Sequence, residues 1–154
     1  MRPGTAEIVV DVSSDGIDRK AVVRVTVVLE IAYPDIDGVY DVDAPFTHFD
    51  PIWGEMTGYR YKAEFTLKRD AQGPGLGGTF ADFVLLDAAG QADDWRASGD
   101  IRGVIARDGR ITIGFVASSN SLTWELWGRS DGTAIEGTWF RGGHLSGTFR
   151  AVRR

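Results

Sequence analysis

The 154-residue chain contains no cysteine, which excludes disulfides, thiolate zinc sites and cysteine nucleophiles together. That absence fits a reducing compartment, and the expected location is cytoplasmic. Two histidines are too few to build an imidazole-rich transition-metal centre, so neither a metal nor a cofactor is expected. No G-x-G-x-x-G, P-loop, G-x-S-x-G or H-E-x-x-H pattern occurs. Long apolar runs are also missing. The longest, Val22 to Ile31, is interrupted by Arg24 and Glu30 and is too short to span a bilayer. The N-terminus, Met1-Arg2-Pro3-Gly4-Thr5, lacks a signal-peptide pattern, so no targeting segment is expected. Positive charge is not in excess: the net charge is −5, which argues against a nucleic-acid partner.

Charge is unevenly spread. Residues 1–58 hold 4 Lys+Arg and 11 Asp+Glu, while residues 59–154 hold 13 and 11. In the acidic run Asp35-Ile36-Asp37-Gly38-Val39-Tyr40-Asp41-Val42-Asp43, aspartate falls on alternate positions. Asp-x-Asp-Gly is a fragment of a calcium loop, but the downstream bidentate glutamate is missing. The simpler reading is a strand with Ile36, Tyr40 and Val42 turned inward and the carboxylates in water.

What is abundant is glycine, at 20 residues, together with period-2 apolar patterning. Tyr59, Tyr61, Ala63, Phe65 and Leu67 alternate with Arg60, Lys62, Glu64, Thr66 and Lys68, which predicts a strand with one buried face. Similar runs predict strands at 6–12, 21–31, 38–43, 79–87, 95–106, 110–118, 121–128, 134–140 and 144–152. No helix signal appears. Asp108-Gly109 marks a tight hairpin. Ser119-Asn120, Ser130 to Thr133 and Arg141-Gly142-Gly143 mark further turns, so 95–152 reads as a meander. Gly73-Pro74-Gly75-Leu76-Gly77-Gly78 precedes a strand rather than a helix, so it lacks the helix N-terminus that phosphate binding uses. The expected fold is all-β: one closed antiparallel barrel of about eight to ten strands spanning 1–154 as one domain. Both faces of 121–140 carry large apolar residues, which leaves their inward face open.

The pattern Gly-Thr-aromatic recurs at Gly78-Thr79-Phe80, Gly137-Thr138-Trp139 and Gly147-Thr148-Phe149. Glycine lets a strand coil tightly and the aromatic can cover it, which suits barrel closure. Thr138-Trp139 beside glycine, with the meander over 95–152, resembles the calycin-like barrels of avidin, lipocalin and allene-oxide-cyclase type. No lipocalin-type Gly-x-Trp precedes the first strand. The resemblance implies an inward cavity for one small molecule. Such barrels include plain binders and cofactor-free cyclases or isomerases.

The candidate chemistry lies in three places. Segment 43–58 reads as a long connection between strands, carrying Phe49, Trp53, His48 and Asp50. It could be a lid over the barrel mouth, with His48 as general acid or base oriented by Asp50, or a plug that only adds stability. Asp82 lies among Phe80, Val84 and Leu86, so it is either buried with a partner such as Arg102 or displaced by a bulge. Tyr59, Tyr61, Trp124 and Trp139 are the aromatic set expected to grip a ligand or simply to fill the core. Trp95 and Trp127, nearer strand ends, would belong to a mouth or a subunit interface. His144 falls at a hairpin tip. Three functions fit: binding of a small apolar organic molecule under the 43–58 loop, a cofactor-independent cyclase or isomerase in the same pocket, or an interaction module with a filled core. The expected partner is a small hydrophobic ligand or substrate, not nucleic acid or membrane, and the five tryptophans suggest a homodimer.

Overall fold

The computed structural model describes the backbone of residues 4–14, 17–27, 32–50, 54–71, 73–117, 122–142 and 145–154. Side chains are described for 32–47, 55–71, 73–116, 123–142 and 145–154, excepting those beside the undescribed segments. The described residues form ten strands: β1 (Gly4–Ser14), β2 (Ile17–Val27), β3 (Gly38–Asp50), β4 (Gly54–Arg69), β5 (Gly75–Leu86), β6 (Ala97–Ile105), β7 (Arg110–Ala117), β8 (Leu122–Ser130), β9 (Ala134–Arg141) and β10 (Leu145–Arg153). No helix among them is long and apolar enough to cross a membrane.

Two compact units result. In the first, Met1–Ala32, β1 and β2 pair antiparallel, with Val9 opposite Val22 and Ile8 opposite Val23. The second, Tyr33–Arg154, is a closed eight-stranded antiparallel barrel in the order β10-β3-β4-β5-β6-β7-β8-β9. It is an up-and-down meander sealed where β10 pairs with β3, Ala151 opposite Val42. At this coarse level it is consistent with a calycin-like fold.

Strict alternation builds most of the wall. On β4, Tyr61, Ala63, Phe65 and Leu67 are buried while Lys62, Thr66 and Lys68 are exposed. The open question at 121–140 is settled by the same alternation. Trp124, Leu126, Ile135 and Trp139 point inward, and Trp127, 53% exposed, packs outside against Phe140. The three Gly-Thr-aromatic repeats place threonine outside and Phe80, Trp139 and Phe149 inside. Their glycines lie where strands crowd. A Cβ on Gly137 would stand 2.0 Å from the Trp127 carbonyl oxygen, and one on Gly147 would stand 2.7 Å from Trp139 Nε1. Glycine is therefore required for the neighbouring strand, and the Trp139 indole, to come so close.

Segment 43–58 differs from the expected irregular connection. β3 continues to Asp50 and β4 begins at Gly54, paired from Phe46↔Tyr59 to Asp50↔Gly54 with a bulge between Phe46 and Thr47. The reason is that the inward alternation Tyr40, Val42, Ala44, Phe46 runs on through the segment, with Pro45 and Thr47 exposed. The tip, 51–53, lies outside the described residues.

One barrel end is closed by the chain before β3. Ile36 is fully buried beside Tyr40, whose hydroxyl donates to the Ile36 carbonyl at 3.0 Å. Tyr33 lies under two guanidinium groups, Arg69 and Arg107, each 5.3 Å from its ring centre. Arg153 bonds Asp35 at 3.1 Å and the Asp37 carbonyl, and Arg69 N–H donates to the Asp37 carboxylate at 2.7 Å. At the opposite end the described residues leave a cleft.

Candidate functional site

The barrel interior is packed with rings. Phe46, Tyr61 and Phe83 stack in series at 5.1 and 5.2 Å, Phe83 meets Trp124 edge-on at 4.9 Å, and Trp124 lies 5.1 Å from Trp139. The void left among them is about 10 Å³, roughly one probe sphere and lined almost wholly by apolar groups. No organic ligand fits there. At this level Tyr61, Trp124 and Trp139 fill the core, because eight strands enclose little more than their own side chains.

Space appears one layer higher, at the open end. A cleft of about 180 Å³ is lined by Tyr61, Leu85, Asp93, Trp95, Trp124 and Arg141. Cross-strand register assembles it. Tyr61 lies opposite Leu85, and Trp124 opposite Arg141. Arg141 faces in because it sits two residues beyond the inward Trp139 on the same strand. Its guanidinium lies 5.4 Å over the Trp124 ring, and Nη1 donates to the Tyr61 hydroxyl oxygen at 3.2 Å. Burial pushes the Tyr61 phenol above its ordinary range, while the charge and hydrogen bond of Arg141 pull the other way. Since the phenol oxygen accepts from Arg141, its own proton is free for a group in the cleft.

The rim comes from the β5–β6 connection. The Asp87 carboxylate accepts from Ala89 N–H at 2.9 Å and Gln91 N–H at 2.7 Å, an Asx turn that folds the segment back. Leu86 then bridges Ala92, and Asp93 N–H donates to the Leu85 carbonyl at 2.9 Å. This sets Asp93 at the cleft edge and Trp95 against Phe83, 5.7 Å between centres.

Of the residues singled out from sequence, Tyr61 and Trp124 line the cleft. Trp139 lies beneath it, 1% exposed, with its Nε1 unpaired. Tyr59 is half-buried against Phe46 at 6.4 Å. Asp82 takes the bulge alternative: it has φ +50° and is exposed, where β5 carries one extra residue against both neighbours. The extra residue turns both Phe80 and Phe83 inward and pushes the carboxylate out. Arg102 is also exposed, opposite Gly77 and Gly114, and does not pair with Asp82. The side chains of His48, Phe49 and Asp50, and all of Trp53 and His144, lie outside the described residues. Sequence reasoning missed Arg141, Asp93 and Leu85 as cleft residues. Among the described residues, no three of His, Asp and Glu gather as a metal site would require.

Comparison of the sequence with protein-family models and with curated proteins gives no match.

Proposed function

We propose that the barrel is a ligand-binding protein that receives one small, ring-sized organic molecule in the cleft at its open end. The observation that carries this reading is the cleft itself: about 180 Å³, walled by Trp95, Trp124 and Leu85, with Tyr61, Arg141 and Asp93 as its few polar groups. An apolar pocket with a small number of convergent polar groups is the usual form of a small-molecule site. An apolar cavity of about 150 Å³ is known to admit benzene, which sets the scale of the guest. The β3–β4 arm, which continues past Tyr61 to Asp50↔Gly54, is taken as the cover of the site.

Native mass spectrometry of freshly purified protein tests the reading. A retained molecule lost on denaturation, and absent from a Leu85→Trp variant whose cleft is filled, supports it. Equal retention by the variant overturns it.

A second reading, a cofactor-independent isomerase or cyclase in the same cleft, draws on Tyr61. A buried phenol with a free proton, beside a fixed cation that would stabilise the phenolate, is suited to general acid chemistry. In that case Tyr61→Phe abolishes turnover, a far larger loss than its effect on ligand affinity. A parallel fall in both removes the catalytic reading.

A further inference from the structure

We infer that the cleft takes its ligand by a carboxylate, so that the guest is a small ring-bearing monocarboxylate held by Arg141 and Tyr61. The inference rests on the reading of the cleft as a ligand site and adds the chemical class.

Arg141 is one of five described arginines, with Arg69, Arg96, Arg102 and Arg107, that no ion pair among the described residues engages, and the one of the five that lines the cleft. Arg60, Arg110, Arg129, Arg150, Arg153 and Arg154 each reach a carboxylate within 4.0 Å. Arg141 reaches none among the described residues. Its contacts are a phenol oxygen and an indole face, both neutral. Those two contacts fix the plane of the guanidinium, yet the phenol uses only one of its five N–H donors. A half-buried cation held in a fixed plane with most of its donors unspent is matched to a planar two-oxygen anion.

Tyr61 adds a second donor to the same spot. Its oxygen is already engaged by Arg141, so its proton is left for an acceptor in the cleft, and a carboxylate seated on Arg141 would supply one. The remaining walls, Trp95, Trp124 and Leu85, are apolar, two of them flat indoles, which calls for a ring behind the carboxylate. Asp93 restricts the charge. A phosphate or a dicarboxylate would bring a second negative charge into a small cleft that already has this carboxylate on its edge.

Benzoate, its neutral isostere benzamide and phthalate, a ring dicarboxylate, are the probes, titrated by calorimetry and by the indole N–H signals of the intact protein. Benzoate is expected to bind about tenfold or more tighter than benzamide, the scale of a charge-assisted pair, and tighter than phthalate. Arg141→Gln is expected to remove that preference, so that benzoate binds no tighter than benzamide. Arg141→Lys, which keeps the charge and loses the fork, is expected to fall between. Equal affinities of benzoate and benzamide for the unaltered protein overturn the carboxylate assignment and leave the cleft reading standing. Tighter binding of phthalate overturns the restriction to one charge. Failure of all three to bind, with no indole signal moving, overturns the cleft reading and the assignment with it.

Discussion

The two ends of this barrel are built from the same strands and finished in opposite ways. At the closed end, Ile36, Ile105 and Ile135 are fully buried, Arg153 and Arg154 are ion-paired, and Arg69 and Arg107 stack on Tyr33. Asp35 and Asp41 are held below the usual carboxylate range by Arg153 and Arg154, Asp108 by the Arg110 backbone and side chain, and Asp131 is brought down to about 2 by backbone N–H groups of Ala134 and Thr133. At the open end, the last inward rung carries a cation with no carboxylate partner among the described residues and a phenol with a free proton. Ion pairs of Arg153 and Arg154 brace the closed end, whereas the proposed ligand cleft holds a cation without a carboxylate partner among the described residues.

The comparison can be broken at several points. The largest effect belongs to a site that serves both ends. Gly137→Ala sets a Cβ 2.0 Å from the Trp127 carbonyl and 2.5 Å from Gly128 Cα, forcing β8 and β9 apart. A loss of about 3 kcal/mol or more is expected by chemical denaturation, and an unchanged midpoint would refute the close approach. Next comes a matched pair of truncations. Ile36→Ala at the closed end is expected to cost about 2–5 kcal/mol, whereas Leu85→Ala at the cleft should cost less than about 1 kcal/mol because it already borders open space. Equal losses would erase the distinction between the ends. Tyr40→Phe removes a buried hydrogen bond to the Ile36 carbonyl and should cost about 1 kcal/mol. A neutral outcome would mean that water serves that carbonyl.

The smallest effect is acid dependence. A folded-state pKa below its unfolded value contributes stability that is full above the unfolded value and is lost as pH falls through the folded one. For Asp131 that window runs from the ordinary carboxylate value of 3.8 down to about 2. Amide exchange followed across this range should show 131–135 opening in acid, and Asp131→Asn should flatten the response. An identical acid response in the variant would show that other groups carry it.

Much of the fold is legible in the sequence because alternation and turn residues are local signals. The positions of all ten strands follow from them, as do the inward residues of β4 and the role of the Gly-Thr-aromatic repeats, though not the continuation of β3 and β4 through 43–58. The cleft was less legible. Arg141 stands beside Gly142-Gly143 and so reads as turn, although its parity with Trp139 carries the information that it faces in. The Asp82 bulge depends on a positive φ that Asp tolerates, which alternation cannot register. The packed interior depends on ring volumes meeting across the barrel, a long-range property. The rim at Asp93 and Trp95 depends on an Asx turn at Asp87 whose consequence is tertiary.

The most direct test of the contrast between the ends is two-dimensional NMR of the protein titrated with benzyl alcohol, a neutral ring probe. Shifts are expected to concentrate at Tyr61, Leu85, Trp95 and the Trp124 indole, with Ile36, Ile105 and Ile135 unmoved. Shifts spread evenly over both ends, or centred on the closed one, would contradict that contrast.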